Sequence, residues 1–158
     1  MNAELKRYLK IEMTIAAAFN FFINGMVAAL IYHMVDNVPT DIISIAIDLT
    51  ATCLFTFILC SLFCRASVRR TKTAGILETK NRFTGFWSRL FRRPVLFGLL
   101  AGLASAAVLY LLTAPLFLLL GIYALPFGVY IALKCVFSLL FGGGVTFFAL
   151  YSGMCKTG

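Results

Sequence analysis

Four long apolar runs, separated by two short turns and one long polar connection, set the pattern of the chain. The runs lie at about 11–32, 42–63, 94–119 and 125–152. Each is long enough to cross about 30 Å of hydrocarbon as a helix of roughly 20 residues. The short turns fall near 33–41 and 120–125, and the polar connection covers 65–93. This pattern predicts an all-α polytopic membrane protein. Its single domain over 1–158 holds four transmembrane helices as two hairpins, with a short amphipathic helix at the membrane interface. The charged start, Met1 to Lys10, leads into a long apolar run with no small-residue cleavage site, so it reads as the first helix and not as a cleaved signal peptide.

The polar residues inside those runs come next. Lys134 lies in the fourth run, where a basic residue costs about 2.5–3.5 kcal/mol at a helix centre unless it meets a counter-ion, a wet cavity or the protein interior. Asp48 is the one acid well inside another run. Counted along each helix from its start, Asp48 lies roughly 10 Å deep and Lys134 roughly 12 Å deep. Both helices run in the same direction, so the two charges are expected at one level. Asp48, Thr52 and Thr56 repeat every four residues on one helix face; Lys134, Ser138 and Gly142 do so on another. Asn20 and Asn24 share a face of the first helix, and buried amides of this kind hydrogen-bond across helices for about 0.6–2 kcal/mol. They are expected to face the charge pair. Three readings of the pair stay open: a static salt bridge, a hydrated functional pair, and a lysine that extends to the interface without meeting Asp48.

Composition agrees with a membrane chain. Of 158 residues, 61% are hydrophobic and 13% charged, with a mean hydropathy of +0.96, against roughly 25% charged in soluble domains. The net charge of +8 is unevenly placed. Lys6, Arg7 and Lys10 precede the first run, the polar connection carries most of the other basic residues, Lys156 follows the last run, and the two short turns have neither lysine nor arginine. By the positive-inside rule both termini and the connection are cytoplasmic. Within the connection, Phe83, Phe86, Trp87, Leu90 and Phe91 fall on one helical face, with Arg82, Arg89, Arg92 and Arg93 around them. Such a segment is expected in the headgroup layer against anionic lipid. That placement accounts for the basic charge without nucleic acid.

Other chemistry is thin. Cys60 and Cys64 are four apart, but membrane cysteines usually behave as small hydrophobes, and no disulfide framework is expected. The single histidine, His33, lies in a turn. No metal-ligand set, cofactor motif or nucleophile-and-base pair is visible, so the chain does not read as an enzyme. Gly98 and Gly102 form a GxxxG pattern, which serves packing within the monomer or a homodimer face. Gly142, Gly143 and Gly144 form a triplet that permits close packing or local unwinding. The segments 11–64 and 94–153 are each a hairpin whose second helix carries a charge, which raises a parallel duplication as a hypothesis.

The motifs FNFFINGM, IDLTATCLFTFILCSLFCRASVRR and ALKCVFSLLFGGGVTFFAL resemble those of a family of small bacterial four-helix inner-membrane proteins with no assigned activity, loosely called permease-like. The resemblance implies that Asn20, Asn24, Asp48, Lys134 and Thr146 are the polar positions inside the membrane. The chain departs from that family in lacking a proline after Asp48 and after Thr146. Two functions are carried forward. One is a transporter or permease for an ion or small charged solute, with Asp48, Lys134, Asn20, Asn24, Thr52, Ser138 and Thr146 along its pathway. The other is a non-catalytic scaffold or accessory subunit in a larger membrane complex, with a structural salt bridge.

Overall fold

The computed structural model describes residues 3–73 and 89–154. Its helices are α1 (Ala3–Tyr32), α2 (Ile42–Thr73), α3 (Pro94–Leu119) and α4 (Phe127–Met154). All four are long and apolar enough to cross a membrane, and the chain is an all-α polytopic membrane protein. The helices have 30, 32, 26 and 28 residues, so the longest spans roughly 48 Å at 1.5 Å per residue.

Two boundaries differ from expectation. α1 begins eight residues before Ile11, and α2 continues ten residues past Phe63. Charged side chains end a hydrophobic span but do not end a helix, because lysine, arginine and glutamate are good helix formers. The extensions also bury apolar residues: Leu5 and Leu9 from α1 and Val68 from α2 join the core. This end of the bundle, where the arginines and lysines gather, is called the basic end below, and the opposite one the turn end.

Packing runs across the sequence hairpins. α1 lies along α4, α2 lies along α3, and α2 and α4 meet between these pairs, whereas α1 and α2 barely touch although one short turn joins them. Glycines set the α2–α3 distance. A Cβ at Gly98 would stand 2.7 Å from Ile58 Cα, and one at Gly102 would stand 3.1 Å from Leu54 Cα. These two positions therefore serve packing within the monomer. α4 stays helical through Gly142, Gly143 and Gly144, and only Gly142 makes a close approach, where a Cβ would meet Asn20 Nδ2 at 2.6 Å.

At the turn end, α3 stops where Gly121 takes a positive φ of 65°. Ile122 N donates to Phe117 O at 3.0 Å there, closing the helix with a glycine in the left-handed conformation. The chain then forms a short strand, β2 (Ala124–Pro126), antiparallel to β1 (Asn37–Pro39), with Val38 opposite Leu125. Val38 is fully buried. Thr40 adds two bonds to the other turn, N to Tyr123 O and Oγ1 to Ile122 O, both 2.9 Å. This ribbon was not expected from the sequence, which shows only turn residues there. Asp41 caps α2 by accepting from Ile43 N and Ser44 N at 3.0 and 3.1 Å. Its carboxyl is held below the usual carboxylate range, chiefly by the Ser44 hydroxyl and then by the Ser44 amide.

The aromatic core sits toward the basic end, where Phe97 is fully buried against Phe57, Phe91 and Phe148. Phe91, expected to face lipid headgroups, is instead turned into the protein core: it is 5% exposed and edge-on to Phe97 at 5.4 Å. A tight turn, with Arg93 N donating to Leu90 O at 2.9 Å, folds it back under α3. Leu90 is partly buried against the same core, while Arg89, Arg92 and Arg93 are exposed. Arg82, Phe83, Phe86 and Trp87 lie outside the described residues. α3 starts on Pro94, whose missing donor costs nothing in a first turn. Ser61 Oγ donates to the Pro94 carbonyl at 2.8 Å and so ties that start to α2.

Candidate functional site

The polar faces of α1, α2 and α4 turn inward because lipid offers no hydrogen bonds. They form three separate clusters along the bundle. The first lies in the turn-end half. Lys134 Nζ donates to both Asp48 oxygens at 2.5 Å and to Thr52 Oγ1 at 2.6 Å. An ammonium has three donors, and all three are used. Thr52 Oγ1 in turn donates to the Asp48 backbone carbonyl at 2.7 Å. The pair is asymmetric: the Lys134 side chain is 8% exposed and that of Asp48 is 27% exposed.

The open side of Asp48 faces a cavity of about 230 Å³ between α2, α3 and α4, beneath the β-ribbon. Tyr32, Thr40, Ser44, Thr113 and Tyr130 are among its lining residues. Tyr32 and Tyr130 meet edge-on at 5.2 Å. The Tyr130 hydroxyl is buried, interacts electrostatically with Asp48 and makes no hydrogen bond of normal geometry. The lining is mainly apolar, with the Asp48 carboxylate as its charged member, and the volume has room for a small solute.

The second cluster is nearer the basic end and joins three helices. Asn24 Nδ2 donates to the Asn20 carbonyl at 3.1 Å, and Thr56 Oγ1 donates to Asn20 Oδ1 at 3.1 Å. Asn20 Nδ2 donates to Ala16 O at 2.9 Å and to Cys60 Sγ at 3.5 Å, and Thr146 Oγ1 reaches the same sulfur at 3.5 Å. The third cluster lies at the basic end, where Ser67 Oγ donates to Glu12 Oε1 at 2.7 Å and meets Tyr8 Oη at 2.5 Å.

The seven expected pathway residues are thus divided. Asp48, Lys134 and Thr52 come together. Asn20, Asn24 and Thr146 do so separately, bonded to Thr56 and Cys60 and not to the charge pair, because the face of α1 that carries the asparagines meets α2 and α4 one turn or more beyond Thr52. Ser138 belongs to neither group. It lies one turn beyond Lys134 on α4, between the two clusters, and its Oγ is fully buried with no hydrogen-bond partner.

Some participants were not singled out from the sequence. Tyr130 precedes Lys134 by four residues, so helical spacing marks it. Glu12 also shares a face with Ala16, Asn20 and Asn24. Thr113 and Tyr32 carry no such signal, since helix packing alone brings them to the cavity. Among the described residues no group of three histidines, cysteines or acids is placed to hold a metal ion. Cys53, Cys60, Cys64 and Cys135 are free thiols. No family model, curated protein or solved structure matches the chain.

Proposed function

We propose that this membrane protein is a small transporter, permease-like in character, for an ion or small charged solute, with Asp48 and Lys134 as its binding centre. The observation that supports the reading most is the asymmetry of the pair. Desolvation offsets much of the attraction in a buried pair and apolar replacements are often as stable, so packing alone is a weak reason to keep one. Here the carboxylate borders a cavity large enough for solute. A cation or proton that takes Asp48 competes with Lys134, and an anion that takes Lys134 competes with Asp48. When Asp48 is taken, Thr52 still holds the freed ammonium.

The positive-inside pattern supports an orientation with the basic end and both termini in the cytoplasm, in a bacterial cytoplasmic membrane. The cavity then lies in the outer half. No step of this proposal uses a cofactor or catalytic chemistry. The test is reconstitution into liposomes carrying an entrapped pH-sensitive dye and a clamped potential, with protons, small carboxylates, amines and inorganic anions offered in turn. The parent protein is expected to move at least one of these. Asp48→Asn is expected to lower that flux at least tenfold with folding intact. A parent with no flux for any of them, or an Asp48→Asn protein as active as the parent, supports the scaffold reading instead.

A further inference from the structure

A second cavity, unrelated to the charge pair, opens where α1 and α2 fail to pack on one another. It has a volume of about 490 Å³ and extends along α1 from Glu12 to Ile23. That distance is roughly 16 Å, about half of a bilayer's hydrocarbon thickness. Its lips are lipid-facing, with Phe19 64% and Phe63 72% exposed. Its floor is the Asn20 cluster, and Ala16 leaves its middle open. At the basic end it finishes on Ser67 and Arg70.

We infer that this cleft is a binding site for one phospholipid with a net negative headgroup, drawn from the leaflet at the basic end. Three observations converge on that occupant. The cleft has the depth of one leaflet and opens sideways to lipid, so an acyl chain enters without crossing a polar barrier. Arg70 is exposed, and among the described residues no hydrogen bond or ion pair holds it. It lies one turn beyond Ser67, at the level where a phosphate sits once the chain is in the groove, and guanidinium suits phosphate well. Glu12, the one acid among the described residues of the cleft, is set deeper and its carboxylate accepts from Ser67. It therefore lies against the glycerol region and not against the phosphate. The depth-limited groove with a polar floor distinguishes this site from the general lipid annulus.

The site is tested by native mass spectrometry of the purified full chain after exposure to phosphatidylglycerol or phosphatidylcholine with identical acyl chains. One phosphatidylglycerol per chain is expected to survive transfer, at least fivefold over phosphatidylcholine. Arg70→Gln is expected to reduce its retention about fivefold, the value of one basic residue at an anionic surface. Ala16→Phe fills the groove and is expected to abolish retention. Lys6→Gln, the same charge loss on an exposed residue away from the cleft, is expected to leave retention unchanged. Equal retention of the two lipids, or a Lys6→Gln effect as large as that of Arg70→Gln, overturns the inference. Retention undiminished in Ala16→Phe also overturns it, since the lipid then binds elsewhere. The Arg70→Gln comparison stands by itself if Ala16→Phe does not fold.

Discussion

α2 packs against α3 and against α4 by opposite means. Toward α3 it offers Leu54 and Ile58, which receive Gly102 and Gly98 so closely that no Cβ fits at Gly98 without movement. Toward α4 it offers Asp48, Thr52 and Cys60, which meet Lys134 and Thr146 through hydrogen bonds. The first seam gains stability from close contact between backbones, a means suited to a solvent as apolar as the protein interior. The second holds charges whose desolvation offsets much of their attraction. A chain that has a tight seam available and still keeps the costly one points to a use for the charges beyond holding helices together.

The comparison can be broken from either side. The largest effect is expected from Lys134→Met, which leaves the Asp48 carboxylate without its counter-ion. Removing one member of a buried pair costs about 3–5 kcal/mol, and the lower end applies because Asp48 is partly exposed. Denaturant unfolding in detergent micelles reads that loss. Gly98→Ala should follow, at about 2 kcal/mol by overpacking, because the added methyl meets the Ile58 backbone. A loss of similar size from Gly144→Ala would refute the packing argument. Nothing lies within 4 Å of a Cβ at Gly144, so that change should instead stabilise the helix by up to about 1 kcal/mol.

Thr56→Val removes one hydroxyl donor from Asn20 and should cost about 0.6–1.7 kcal/mol, within the range measured for hydrogen bonds inside membranes. The smallest effect concerns Asp41, outside both seams. Its carboxyl is held below the usual range by Ser44, so the native state favours the charged form. The stability this provides is complete above the unfolded value, near pH 4, and is lost as pH falls through the lower folded value. Thermal melts of the parent should decline over that acid window, and Asp41→Asn should remove part of the decline.

Much of this arrangement was legible in the residues. Run length fixed the four spans, because hydrocarbon thickness leaves little freedom in helix number. Helical spacing put Asp48, Thr52 and Thr56 on one face, and equal depth put Lys134 opposite them. The asparagines were misjudged because spacing gives a face but not a partner. Whether Asn20 meets Lys134 or Thr56 depends on how far α1 slides along α4, and Gly142, which admits Asn20 at one level, decides it. Charge was a poor guide to helix ends, as the extensions of α1 and α2 through lysine and arginine demonstrate. The ribbon at the turn end left no trace because three-residue strands have no periodicity to detect. The cavity beside Asp48 depends on Thr113 and Tyr32, whose approach comes from the packing of α3 on α2 and of α1 on α4 and not from either local sequence.

The central claim is that the α2–α4 charges are kept for solute and not for stability, and the most direct measurement combines both properties in one protein. Asp48→Leu with Lys134→Met removes both charges and leaves apolar side chains of similar size. Unfolding free energy and liposome flux are then measured on the same preparation. The account predicts stability within about 1 kcal/mol of the parent, as apolar replacement of buried pairs allows, together with flux reduced to the level of empty liposomes. Flux equal to that of the parent, or collapse of the fold when both charges are removed together, would contradict it.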